Sequence, residues 1–296
     1  MDKQPELNNT QYERTWKNST FYIVFKQFCR NKLAVAGLIV IILMILMAIF
    51  APLLCPYDYA AVDPINKHQL PSWEHLFGTD SLGRDILSRI IYGSRYSLSI
   101  GIAASLLGAF VGIVLGLLSG FFGGKVEAII LRFCDMLQSI PSMLLSIIIS
   151  VTLGSGIIPT TIALSIGSVA LFTRLLRATM LSVREQEFVE AARSINCSKT
   201  RIMLRHILPN CLAPLIVLFT TSTSMKIMFL AGLSYLGLGI QEPLPEWGAM
   251  INAGKAQIRY FPHVVLFPGL FIAILVLSLN IVGDGLRDAL DPKLRK

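Results

Sequence analysis

Charge is scarce in this chain, and acid is scarcer than base. Asp, Glu, Lys and Arg make up 15% of the 296 residues, 18 acidic against 26 basic, while 54% are hydrophobic. So little charge is foreign to a soluble domain and points to a polytopic membrane protein. The formal charge of +8 does not indicate nucleic acid, because no basic patch is interleaved with aromatic residues. Cysteine is sparse too: Cys29, Cys55, Cys134, Cys197 and Cys211 form no C-x-x-C pair, which argues against a disulfide framework or a zinc site.

Other absences narrow the function. No Ser/His/Asp or Cys/His constellation supports catalysis, so no enzyme is expected. His68, His75, His206 and His263 lack i, i+4 spacing and a clear third ligand, so no metal site is expected. Gly120–Val126 faintly resembles a phosphate loop, yet it lacks the first glycine and has Val126 where Ser or Thr belongs. It is read as a short cytoplasmic turn. Residues 1–32 lack an apolar core followed by a small-residue cleavage site, so no cleaved signal peptide is expected.

Long apolar runs are what the chain does have. Leu33–Leu54 carries no charge and, at ~1.5 Å per residue, covers ~30 Å of hydrocarbon as a helix. Five further spans are expected at Tyr96–Leu118, Ala128–Leu153, Ile157–Leu176, Leu212–Leu236 and Val264–Val282. The third has Arg132 and Asp135 in its first turns, which places them near the interface or against protein. Gly108, Gly112 and Gly116 recur every fourth residue, a face on which another helix can approach closely in lipid.

Lys and Arg set the orientation. They gather at Lys17, Lys26, Arg30 and Lys32, through Arg174–Arg205, and at Arg287, Lys293, Arg295 and Lys296. Both termini and the segment after the fourth span are therefore expected in the cytoplasm. The expected organisation is a cytoplasmic arm at 1–32, a first helix at 33–54 and an extracytoplasmic loop at 55–95. A five-helix core follows at 96–284 with a cytoplasmic segment at 182–210, then a tail at 285–296. Within the outer loop, Ile86, Leu87, Ile90 and Ile91 form an apolar stripe opposite Arg84, Asp85, Ser88 and Arg89, which predicts an amphipathic helix lying at the interface.

The segment 182–210 predicts two short helices. Over Arg184–Ile195, Phe188, Ala191, Ala192 and Ile195 share one face. Asn196 suits the left-handed residue that ends a helix. Ser198 then caps Lys199–Leu208, which Pro209 is expected to stop. Such helices either lie on the bilayer or dock a partner.

Glu190-Ala191-Ala192, position 196 and Ile207-Leu208-Pro209 resemble the EAA loop of permease subunits of binding-protein-dependent ABC importers. Asn31–Ala34, Phe77–Asp85, Ala231–Gly239, Glu246–Gly248 and Gly283–Pro292 are similar to the branch carrying di- and oligopeptides and nickel. The resemblance runs from about residue 25 to the end. It implies the all-α, six-helix type I importer permease fold in the bacterial plasma membrane. It also implies a coupling surface built from Phe188, Glu190, Ala191, Ala192, Ile195, Asn196 and Pro209. Implied partners are a second permease, two ATPase subunits that bind ATP and Mg, and an extracytoplasmic binding protein. The family usually has glycine where Asn196 stands. It often has Glu where Leu230 stands, whereas here Lys226 follows a hydroxyl-rich run containing Thr223. A lysine inside a span costs ~3 kcal/mol, so Lys226 is expected to face either the translocation pathway or an acid on the second permease. Competing expectations are nickel or metal-chelate import within the family. A lone secondary transporter or channel would need inverted repeats and intramembrane carboxylates, which the spans lack.

Overall fold

The computed structural model describes residues 20–290, and they are almost entirely helical. In chain order the main helices are α1 Thr20–Arg30, α2 Lys32–Ile49, α3 Ile86–Phe122, α4 Gly124–Gln138, α5 Ser142–Leu153 and α6 Ile157–Arg184. There follow α7 Glu187–Ser194, α8 Leu208–Tyr235, α9 Trp247–Gly254 and α10 His263–Leu290. Five helices are long and apolar enough to cross a membrane, and six crossings result when the bent pair α4–α5 counts as one. Residues 1–19 and 291–296, including Lys17 and the last basic residues of the tail, lie outside the described residues.

Three boundaries differ from expectation. The second span and the amphipathic helix before it are one helix, α3, capped by Asp85, whose carboxylate accepts from Ser88 N at 2.7 Å. Its polar residues are not exposed at an interface: Arg84 and Arg89 are 3% and 1% exposed. Carboxylates satisfy them there, since Arg84 Nε donates to Asp80 at 2.7 Å and Arg84 Nη2 to Glu242 at 2.6 Å. The third span is broken, with α4 and α5 meeting at 85°. Pro141 removes a helical N–H and disfavours helix at Ile140, which ends α4 and redirects the chain. Finally, helix α10 continues through 285–290, so that part of the expected tail is packed.

Glycine spacing decides the central helix pair. A Cβ at Gly108 would lie 2.2 Å from Ser168 Oγ, one at Gly112 2.5 Å from Phe172 Cβ, and one at Gly116 2.9 Å from Leu176 Cβ. These partners advance together along the chain, so α3 and α6 run parallel in close contact. Such approach supplies the dispersion contacts that hold helices together in lipid. The third span's polar residues are also used: Arg174 pairs with Asp135 and Arg177 with Glu127, tying α4 to α6.

The two ends of the described chain meet. Asn31 caps α2 by accepting from Ala34 N at 3.2 Å. Phe28 and Ala34 then pack with Val282, Leu286 and Ala289 of α10. At the opposite end of the bundle, Trp247 is fully buried and its indole donates to Ile90 O at 3.0 Å. Glu246 caps α9 and accepts from Ser97 Oγ at 3.2 Å. The two loop regions of residues 55–85 and 236–262 thus close one end, while α7 and both described chain ends share the other.

Candidate coupling surface and intramembrane lysine

Helix α6 ends at Arg184, and after a two-residue break the chain forms α7, eight residues long. Its apolar residues divide between two sides. Val189 and Ala192 are buried and belong to one apolar cluster with Phe172, Leu176, Met180, Ile202, Ile207 and Leu215. Phe188 is 38% exposed and Ile195 76% exposed, and Ala191 between them is also exposed. Ala192 therefore anchors α7 and does not share the outward face with Phe188, as its spacing suggested. The missed signal was Val189: an i, i+3 pair of Val189 and Ala192 marks the inward side.

Asn196 has φ +56° and closes α7 in the left-handed conformation. Asparagine tolerates it because its short polar side chain relieves part of the penalty. Ser198 Oγ accepts from Arg201 N at 3.4 Å, the expected cap. The expected stop at Pro209 does not occur. Residues Lys199–Arg201 lead into a π-helical turn at Ile202–Ile207, which runs directly into α8. Proline is tolerated in the first turn of a helix, and the wider turn before it absorbs the lost hydrogen bond. Pro209 and Glu190 are exposed.

Through that apolar cluster α7, the π turn, α6 and α8 pack together. Where α6, α8 and α10 come together at this end, a cavity of about 660 Å³ is lined by Leu175, Asn210, Val217, Thr221, Asp284 and Arg287 among others. Neither Thr223 nor Lys226 lines it. Lys226 is 4% exposed, and its ammonium makes no hydrogen bond or ion pair among the described residues. Thr223 is 3% exposed, with its hydroxyl bonded to Phe219 O of its own helix at 2.8 Å. Next to them Ser224 Oγ donates to Asn280 Oδ1 at 2.7 Å, linking α8 to α10.

Residues 112–296 match the family model described as "Binding-protein-dependent transport system inner membrane component". Residues 19–71 match the "N-terminal TM domain of oligopeptide transport permease C". The dipeptide transport system permease protein DppC of Alkalihalophilus pseudofirmus is 47% identical, over 92% of this chain and 89% of its own length. The oligopeptide transport system permease protein OppC of Bacillus subtilis is 42% identical, over 95% and 90%. A glutathione transport system permease protein GsiD of Escherichia coli is 45% identical, over 99% and 94%. Among solved structures, an inward-facing MetNI methionine ABC transporter is similar with a TM-score of 0.57 at 19% identity, covering 70% of this chain and 98% of that one. An amino acid ABC transporter solved with histidines gives 0.55 at 15% identity, covering 69% and 95%.

Proposed function

Because this chain belongs to the family of inner-membrane components of binding-protein-dependent transport systems, multi-pass proteins of the bacterial inner membrane, we propose that it forms half of a pathway importing di- and oligopeptides. Dipeptide and oligopeptide permeases among its relatives support that substrate class. A glutathione permease at 45% identity extends it to short peptides bearing extra carboxylates.

The second half of the pathway is a related permease. Two ATPases in the cytoplasm bind ATP and Mg, and a binding protein delivers substrate from outside. The chain performs no covalent chemistry. Lys and Arg near α1, after α6 and at the end of α10 support a cytoplasmic position for that end of the bundle. Phe188, Ala191 and Ile195 enter a cleft of one ATPase, flanked by Glu187 and Glu190. Closure of the ATPase pair displaces α7, and the buried Val189 and Ala192 carry that displacement into α6 and α8. Alternation between inward and outward access follows from this tilt.

The split of α7 into an anchored and an exposed apolar side carries this reading. An apolar side left in water on a helix otherwise charged marks a partner surface. The pair Phe188→Asp and Ile195→Asp touches only the exposed side. The double variant is expected to fold with an unchanged Tm and to lose co-purifying ATPase. Retention of ATPase with normal peptide uptake would overturn the assignment.

A further inference from the structure

A second cavity of about 400 Å³ borders the end of α7, and none of Phe188, Ala191 and Ile195 lines it. Its walls come from the last turns of α3 and α6, the residues that close α7, and the π turn. Phe121, Met180, Ile202 and Ile207 supply an apolar interior. Arg184, Arg193 and Lys199 supply three cations, no acidic residue lines it, and none of the three forms an ion pair among the described residues.

We propose that this cavity binds an anionic phospholipid, with its phosphate held by Arg184, Arg193 and Lys199 and the upper part of an acyl chain against Phe121 and Met180. The position fits that occupant. Phe121 lies in the last turn of α3 and Arg184 is the last residue of α6, so the cavity lies at the ends of two helices long and apolar enough to span a bilayer. Phe122, beside it, is 61% exposed and apolar, as a lipid-facing residue is. Basic pockets among transmembrane helices at this depth suit acidic headgroups, whereas a free anion has no use for the apolar interior. Arg184, Arg193 and Lys199 are exposed, so all three are free to form charge-assisted hydrogen bonds with a phosphate. The assignment does not depend on what α7 docks or on the direction of transport.

Cys197 lines the cavity and is half-buried, so it reports occupancy. With Cys29→Ser and Cys55→Ser in place, the remaining thiols besides Cys197 are the buried Cys134 and Cys211. The full-length chain is reconstituted in nanodiscs of phosphatidylcholine alone or with one third phosphatidylglycerol, and Cys197 is labelled with a neutral, hydrophilic maleimide. A neutral reagent keeps surface potential from altering its local concentration. Phosphatidylglycerol is expected to slow labelling several-fold, and each cation removed to weaken that protection by roughly fivefold. The Arg184→Gln, Arg193→Gln, Lys199→Gln variant should label equally fast in both discs. The charge-preserving Arg184→Lys, Arg193→Lys, Lys199→Arg variant should retain the protection, which separates loss of charge from loss of fold. Equal rates in both discs for the chain with all three cations would overturn the proposal. So would full protection by millimolar inorganic phosphate in phosphatidylcholine discs, since a free anion would then suffice.

Discussion

The hydroxyl of Thr173 is shared between Val169 O of its own helix at 2.8 Å and the main-chain carbonyl of Gly112 on α3 at 3.2 Å. A side-chain bond to the backbone of a neighbouring helix requires nearly touching helices, and the glycines every fourth residue of α3 allow this. The rest of the bundle is arranged around that pair. α4 is tied to α6 by two ion pairs, and the α7 anchor joins the same apolar cluster as Phe172.

Overpacking this seam should be costly. A Cβ at Gly112 would meet Phe172 Cβ at 2.5 Å, whereas one at Gly269 meets nothing within 4 Å. Gly112→Ala is expected to destabilise by about 1–3 kcal/mol. Gly269→Ala should be neutral or stabilising by up to ~1 kcal/mol, because alanine is the better helix former. Thermal unfolding in one detergent, followed by scanning fluorimetry, compares the two directly. An equal Tm for both variants would contradict the close α3–α6 contact.

The buried Arg84 and Arg89 depend unequally on their two acids. Asp80 is buried and accepts from Arg84 Nε at 2.7 Å, Arg84 N at 3.0 Å and Leu82 N at 2.8 Å. The Glu242 side chain is 43% exposed. Asp80→Asn should therefore destabilise by about 3–5 kcal/mol, the range for removing one partner of a buried pair. Glu242→Gln should lose ~1 kcal/mol or less, because water screens the exposed partner. Protease sensitivity of the 55–85 region at increasing temperature is the readout. Similar effects for the two variants would refute this hierarchy.

At Asn196 the φ of +56° predicts a clear order of substitutions. Asn196→Gly should leave ATPase docking and transport unchanged, since glycine adopts this conformation without strain. Asn196→Val should weaken docking several-fold, because a β-branched residue is a genuine outlier there. Co-purification of the ATPases with each variant measures this. Loss of docking in Asn196→Gly would show that the asparagine side chain itself is needed.

Lys226 is buried without an ionic partner among the described residues. Replacing an unpaired buried cation with an apolar side chain of similar length should raise the stability of the isolated chain. Lys226→Met is thus expected to increase Tm while lowering uptake of peptides with extra carboxylates, with assembly intact. Unchanged uptake of anionic peptides would remove Lys226 from the pathway.

Much of the architecture was legible along the chain because lipid imposes a simple code. Spans must be long, apolar and helical to satisfy their backbone groups, so six runs of that kind indicated six crossings. The Gly108–Gly116 spacing marked a contact face, though not which helix would fill it. Asn196 and Ser198 carried their local conformations in their own chemistry. Pro209 was expected to stop a helix, while the expected third span ran unbroken through Pro141. Both remove a backbone donor, yet one breaks a span by 85° and the other is absorbed by a π turn. Pro209 sits in the first turn of α8 directly after the π turn, whereas Pro141 falls between two helices.

The candidate surface was legible in the same partial way. Position along the chain marked 182–210 as a polar segment between spans, and periodicity over Arg184–Ile195 indicated an amphipathic helix. Which apolar residues anchor it and which remain exposed was decided by the neighbours α6 and α8, through the cluster that takes in Val189 and Ala192. Arg84 and Arg89 show the same limit, since besides nearby Asp80 each also meets Glu242, 158 and 153 residues away. Amino-acid order sets what is local: hydropathy, helix length and turn chemistry. Pairings between distant charges, and the side of a helix left free for a partner, depend on which segments meet, and here only tertiary packing decided that.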